Sequence, residues 1–176
     1  VDTETRLQRK YLPAAAARAA LDAGLRSSTA GEARDYMVIV LSYLWFHRAS
    51  TTGSLQDHDV QVTETELLVH ERFRKGHSHE VTTRAIAMPR TSPGVDAACR
   101  LVEHFRTLRG KCAPQAAFYG LQGESPAALS AEFIDTTFRR GLTALSIQAP
   151  PGYSFSSHSG RAGGATAAYS IGGTLE

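Results

Sequence analysis

An imidazole and a guanidinium lie three residues apart near the end of the chain, at His158 and Arg161, behind a serine-rich approach. A helix that starts near Ser157 would place both side chains on one face, because residues i and i+3 are neighbours on a helix surface. The first N–H groups of that helix would point at the same place, where an anion binds favourably. A ring that exchanges protons beside a planar charge that binds phosphate is suited to phosphoryl transfer. The alternative is an ordinary helix start with a capping histidine.

Two consecutive glycines, Gly163 and Gly164, follow inside the same helical pattern. Each costs about 1 kcal/mol relative to alanine in a helix interior. A sequence otherwise rich in alanine therefore predicts close backbone packing here, or the approach of a ligand.

Arg48 and Lys75 are two further cations in informative positions. Arg48 ends the most apolar helical segment, and a guanidinium is seldom buried without an anionic partner. It is interpreted either as a second phosphate contact or as half of a salt bridge to Asp57 or Asp59. Lys75 lies in a basic segment between two predicted strands, for which a solvated loop is the alternative. His70, His77 and His79 have no carboxylate or cysteine at ligand spacing, so no metal site is predicted.

Composition indicates one domain of 176 residues, with 42% hydrophobic content and a formal net charge of +2. This small positive charge is compatible with a nucleic-acid partner but does not indicate one. Evidence for such a partner depends on where the charges lie. Cys99 and Cys112 predict no disulfide framework. No signal peptide is visible, and the apolar stretch 37–46 is too short for a membrane span. An intracellular protein without a membrane partner is therefore expected.

The hydrophobic periodicity predicts a mostly helical α+β fold with a small antiparallel sheet. Residues 1–12 are expected to form a linker or domain edge. The predicted helices cover 13–25, 31–47, 95–108 and 129–147, with one more from near Ser157, and the predicted strands cover 66–70 and 81–88.

The order of these motifs resembles the catalytic domain of tyrosine recombinases, the family that includes phage integrases. Arg48–Ser50, with Leu55 and Asp59–Val60 behind it, resembles the first arginine box of the family. Lys75 lies where the family carries a lysine on a β-hairpin, and Ile86-Ala87-Met88-Pro89 resembles the stretch that follows. His158-Ser159-Gly160-Arg161-Ala162-Gly163-Gly164-Ala165-Thr166 resembles the second box, in the form found in eukaryotic mobile elements. The resemblance spans residues 13–176.

The resemblance implies DNA breaking and rejoining, in which a tyrosine oxygen attacks a phosphodiester and leaves a 3′-phosphotyrosyl link. Neither metal nor nucleotide cofactor is implied, because the covalent intermediate keeps the bond energy. Arg48 and Arg161 are implied to hold the non-bridging oxygens, His158 to assist proton transfer, and Lys75 to protonate the leaving oxygen. Double-stranded DNA and further recombinase protomers are the implied partners, in the nucleus if the host is a eukaryote. The basic residues expected to bind DNA are Arg72, Arg74, His77 and Arg84.

The sequence departs from the family pattern in several places. Thr51 stands where an acidic residue is usual, and Gly160 stands where leucine is usual. The family's nucleophilic tyrosine lies well downstream of the second box, whereas this chain ends at Glu176, so the nucleophile segment is expected to be missing. Tyr153 and Tyr169 are not expected to replace it.

Two alternatives to an active recombinase remain open from the sequence. One is a non-catalytic remnant that binds the DNA backbone, and the other is a helical interaction module in which Arg48 and His158 are structural.

Overall fold

The computed structural model describes residues 8–9, 11–45, 47–74, 81–121 and 126–170. Lys75 and His77 therefore lie outside the described residues. The described helices are α1 (Ala14–Leu25), α2 (Ala30–Trp45), α3 (Ala49–Ser54), α4 (Pro93–Arg109), α5 (Ala131–Ala144) and α6 (Ser157–Ser170). The described strands are β1 (Gln8–Arg9), β2 (Val60–Val62), β3 (Glu66–Arg74), β4 (Val81–Pro89) and β5 (Tyr153–Ser154). The predicted fold class, mostly helical with a small antiparallel sheet, is confirmed.

Helix α2 lies at the centre of the domain and packs against α1, α4, α5 and α6. Its middle residues, including Met37, Ile39 and Leu41, are fully buried. A helix that is apolar on nearly all sides belongs in the core of a domain, and α2 lies there. None of the helices in the described ranges is long and apolar enough to cross a membrane.

Residues 49–54 form a helix that is absent from the sequence prediction, in a stretch where Thr52 and Gly53 favour a turn. The Thr52 N–H donates to the Arg48 carbonyl over 3.0 Å, which starts α3 directly after α2 has ended at Trp45. Gly53 packs against the Leu129 carbonyl at the start of the segment that leads into α5. Contacts with α5 therefore outweigh the low helix propensity of threonine and glycine.

Strands β2, β3 and β4 form an antiparallel sheet in that order. β3 extends to Arg74, beyond the predicted 66–70, and β2 is a strand that the sequence prediction lacks. Side chains alternate along β3, so that Leu67, Val69 and Glu71 are buried on the core side. The carboxylate of Glu71 therefore lies on the same buried face of β3 as the apolar side chains.

The N-terminal segment docks against the start of α6. Gln8–Arg9 pairs in parallel with Tyr153–Ser154, and the Leu12 N–H donates to the Ser159 carbonyl over 2.8 Å. A Cβ atom on Gly163 would lie 2.1 Å from the Leu12 carbonyl oxygen. The close packing predicted from the glycine pair is thus confirmed at Gly163.

Gly160 brings α6 against α2 and α5. A Cβ atom there would lie 3.0 Å from the Phe138 ring and 3.2 Å from the Ser42 Cβ. Ser42 belongs to the last turn of α2, so the first turn of α6 lies at the C-terminal end of α2. The leucine usual in the family would not fit at this position without repacking.

Asp57 anchors the loop before the sheet onto α4. Its Oδ1 accepts hydrogen bonds from Arg109 Nη2 over 2.8 Å and from Arg106 Nε over 3.1 Å. The Arg109 side chain is only 3% exposed, so Asp57 supplies the counter-charge that a buried guanidinium requires. Burial by itself raises the pKa of Asp57, but the bonds and charges of the two arginines outweigh it and the pKa lies below its ordinary value.

The loss of stability caused by alanine substitutions at the α6 glycines should depend on which atoms the new methyl group would contact. Gly163→Ala is expected to lower the free energy of unfolding by about 3 kcal/mol, because a backbone carbonyl must move. Gly160→Ala should cost about 1 kcal/mol, since its nearest neighbours would lie at 3.0 and 3.2 Å and need to move less than the Leu12 carbonyl at 2.1 Å. Gly94→Ala is the control, because its Cβ atom would meet only Ser92 Oγ at 4.0 Å. Urea unfolding measures all three, and equal losses at Gly163 and Gly94 would contradict the packing.

Asp57→Asn should lower the free energy of unfolding at neutral pH by about 3 kcal/mol, because Arg109 keeps its buried charge without a carboxylate. Because the pKa of Asp57 is lower in the folded than in the unfolded protein, its ionised form stabilises the fold at pH values above the unfolded-state pKa. This stabilisation is lost as the pH falls through the folded-state pKa. The difference between wild type and variant should therefore shrink as the pH is lowered toward about 3. Urea unfolding across this range measures the difference, and a constant gap would be the contrary result.

Candidate functional site

Helix α6 begins at Ser157, as the sequence predicts. The Ser159 Oγ accepts the Ser156 N–H over 3.0 Å. Asp135 of α5 reaches the same helix end, and its Oδ1 accepts the Ser157 N–H over 2.9 Å and the Ser157 hydroxyl over 3.1 Å. A carboxylate of this chain already binds the first N–H group of α6, so an incoming anion would be held by side chains rather than by that N–H group.

His158 and Arg161 share a face of the first turns of α6, as predicted from their spacing. His158 is exposed and Arg161 is half-buried. The structure records no hydrogen bond or ion pair for either side chain within the described ranges. Both side chains reach the surface at the start of α6.

Arg48 follows the C-terminal end of α2, the end against which the first turn of α6 packs. Its backbone is extended, with φ −72° and ψ 152°, and its side chain is exposed. Asp57 pairs with Arg106 and Arg109, so the predicted alternative that Asp57 neutralises Arg48 is wrong. No ion pair of Arg48 is recorded among the described residues.

Asp59, the second carboxylate predicted as a partner of Arg48, pairs with Arg72 instead. Arg72 Nη2 lies 2.7 Å from the buried Asp59 Oδ1, and Arg72 Nη1 donates to Gln56 Oε1 over 3.0 Å. Arg72, predicted to bind DNA, is thus also a structural ion-pair partner that remains one-third exposed.

The residue directly before Arg48 is fixed to the sheet. His47 Nε2 lies 2.6 Å from Glu71 Oε1, and the two side chains are only 3% and 4% exposed. Arg84, opposite Glu71 on β4, donates to the second carboxylate oxygen over 3.0 Å. Burial by itself raises the pKa of Glu71, but the hydrogen bond from His47 and the charges of His47 and Arg84 lower it below its ordinary value. The ionised carboxylate therefore accepts the His47 Nε2–H.

The remaining predicted residues of the hairpin are only partly described. Arg74 pairs with Val81 at the end of the ladder, and nothing is described of its side chain. Lys75 and His77 lie outside the described residues. Arg84 is 60% exposed while it contacts Glu71, so part of its guanidinium faces solvent.

Arg48 and the first turn of α6, which carries His158 and leads to Arg161, thus lie at the same end of α2. Two guanidinium groups can each offer paired N–H donors to phosphate oxygens, and a neighbouring imidazole can carry a proton. Within the described ranges, no group of three or more His, Cys, Asp or Glu side chains could hold a metal ion.

Sequence reasoning missed His47, Glu71 and Asp135. The alternation of Leu67, Val69 and Glu71 is a signal that could have identified Glu71 as a core-facing residue. The other two form contacts across more than twenty residues of sequence, and no local pattern indicates such contacts.

Asp135→Ala should lower the free energy of unfolding by about 1 kcal/mol, because the start of α6 loses its cap. Asp135→Asn is the control, since it keeps an acceptor oxygen for the Ser157 N–H and should cost less. Thermal unfolding of both variants measures the effect. Equal losses would show that the charge near Arg139, which lies 2.9 Å from Asp135 Oδ2, matters more than the cap.

No family model matches the sequence, and a search of curated proteins gives no match. Solved structures do match. A pre-cleavage complex of the XerH site-specific recombinase with its difH substrate has a TM-score of 0.61 and 15% identity, over 94% of this chain and 44% of that chain. The XerH post-cleavage complex with palindromic difH has a TM-score of 0.62 and 15% identity, over 97% of this chain and 45% of that chain. A lambda integrase fragment, a dimer bound to a COC′ core site, has a TM-score of 0.61 and 14% identity, over 96% of this chain and 55% of that chain. The chain spans about half the length of these proteins. It has the fold of the tyrosine recombinase catalytic domain.

Proposed function

We propose that the chain is a DNA breaking-and-rejoining domain that acts through a 3′-phosphotyrosyl intermediate. The observation that supports the proposal is that Arg48 and the first turn of α6, which leads to Arg161, lie at the same end of α2. The fold is the one that XerH and lambda integrase share. Neither arginine has a recorded ionic partner among the described residues, although most other arginines of the site region do.

In the proposed reaction the two arginines bind the non-bridging oxygens of one phosphodiester. Their fixed charges offset the negative charge that builds up at phosphorus in the transition state. His158 assists proton transfer beside them, and Lys75 protonates the 5′-oxygen as it leaves. The resulting 5′-hydroxyl, or one from a second strand, reverses the step. No external energy source is needed because the phosphotyrosyl ester keeps the bond energy.

The proposal assigns the nucleophile to neither Tyr153 nor Tyr169. Tyr153 is exposed on the short strand that pairs with Gln8–Arg9, and Tyr169 is a residue of α6 itself, two turns past Arg161. A tyrosine from outside residues 1–176 is proposed instead, from the same protein or from another protomer on the DNA. Double-stranded DNA is the proposed substrate, which would place the protein in the nucleus of a eukaryotic host.

Arg48→Ala and Arg161→Ala should each weaken binding to a short labelled DNA duplex, and the loss should depend on salt. Each phosphate contact removed lowers the slope of log K against log salt concentration by about 0.9, so the double variant should lose about 1.8. Fluorescence anisotropy across a salt series measures this without requiring a nucleophile.

Arg26→Ala is the matched control, because it removes the same charge from an exposed residue at the opposite end of α2. The 16 residues of α2 separate it from Arg48 by about 24 Å. A double variant with an unchanged slope, or a loss equal to that of Arg26→Ala, would contradict the proposed phosphate site. Binding that depends on the arginines, with no covalent product on a nicked duplex once a tyrosine segment is supplied, would favour the non-catalytic remnant.

A further inference from the structure

The buried His47–Glu71 pair has no part in the proposed chemistry, yet it lies directly beside Arg48. Both side chains are almost fully enclosed, and they meet across 24 residues of sequence at 2.6 Å. Glu71 occupies a core-facing position of β3, in line with Leu67 and Val69, where an apolar side chain would be expected. The pair therefore joins the end of α2 to the sheet through one polar contact in an apolar environment.

Stability alone does not explain such a pair. Removing two charged or polar groups from water has a large cost in free energy, and a protein with well-packed apolar residues of similar volume in their place is often equally or more stable. What a short, directional hydrogen bond adds is a defined position for the backbone that carries it. The neighbouring backbone here is that of Arg48.

The backbone of Arg48 is held on both sides while its side chain is left exposed. On one side His47 is bound to Glu71, and on the other the Arg48 carbonyl accepts the Thr52 N–H over 3.0 Å. The Glu71 carboxylate is itself oriented by Arg84 on its second oxygen. A guanidinium on a fixed backbone loses less freedom when it binds phosphate than one on a flexible loop.

We propose that His47 is a positioning residue, whose Nε2–H bond to Glu71 fixes the backbone from which Arg48 reaches phosphate. This inference rests on the proposed function for the ligand of Arg48. The positioning itself is a property of the free protein and can be tested without DNA.

The test compares His47→Gln with His47→Asn, which differ by one methylene group. The amide nitrogen of glutamine occupies the position of the histidine Nε2 and can donate to Glu71, whereas that of asparagine corresponds to Nδ1 and cannot reach it. In each background, binding of a short DNA duplex is measured with and without Arg48→Ala. We expect Arg48→Ala to weaken binding about tenfold in the wild type and in His47→Gln, but less than about twofold in His47→Asn.

A second measurement separates failure of this inference from failure of the proposed function. Hydrogen exchange of the Thr52 amide, which donates to Arg48, should be slow in the wild type and in His47→Gln and faster in His47→Asn. If Arg48→Ala has no effect even in the wild type, the proposed function fails, and the exchange result alone decides the positioning. If Thr52 exchange and the Arg48 effect are the same in all three backgrounds, the positioning role is overturned.

The double variant H47L/E71M covers the case in which His47→Asn does not fold. It replaces the pair with apolar side chains of similar volume, so it should fold with little loss of stability. We expect the effect of Arg48→Ala to fall below about twofold in this background as well. A stable double variant that keeps the tenfold effect and the slow Thr52 exchange would show that packing alone positions Arg48, and the inference would be wrong.

Discussion

The fold depends on a central helix, α2, that has no solvated face in its middle, because such a helix must be covered from every side. Three of its neighbours each place a glycine against it: Gly24 of α1 at the Cβ of Tyr36, Gly141 of α5 at Ile39, and Gly160 of α6 at Ser42. A Cβ atom on any of them would lie 3.3 Å or less from α2. Without those methyl groups the helices approach closely enough to exclude water from the apolar surface of α2, which is the main favourable contribution to folding. The glycines lower helix propensity, and the packing that they permit outweighs this loss.

The same constraint decides where the candidate site lies. Because α2 is enclosed, the chain enters and leaves the core at the two ends of this helix. Three elements meet at the C-terminal end of α2. These are the turn with Arg48, the first turn of α6 through Gly160, and β3 through the contact of Glu71 with His47. Functional side chains on short segments gain precision when a rigid scaffold fixes the segments. A site at this end therefore takes its geometry from the central helix, which packs against four others.

The sequence predicted the elements whose signals are local. Helix α1, the apolar helix α2, the strand pair and the start of α6 follow from periodicity, alanine content and the breaks at glycine and proline. It did not predict α3, because Thr51, Thr52 and Gly53 favour a turn and only the contacts with α5 make them helical. His158 and Arg161 were predicted as site residues because both lie in one motif, and both belong to the first turns of α6. The bond between His47 and Glu71 was missed because it joins distant segments, and Glu71 stood among basic residues that indicate a solvated loop.

The distribution of charge explains how a chain with a net charge of only +2 can offer the proposed phosphate site. Several of the described carboxylates neutralise arginines of the same chain: Asp57 binds Arg106 and Arg109, Asp59 binds Arg72, Asp135 binds Arg139, and Asp35 binds Arg140. A charge pair at about 3 Å produces little field at a distance, whereas an isolated cation acts over about 8–10 Å at physiological salt. The net charge thus understates the local field, since the described residues give Arg48 and Arg161 no counter-ion. In the proposed phosphate site, an incoming phosphate would meet two guanidinium groups that have no recorded ion pair to break among the described residues, which would keep the cost of binding low.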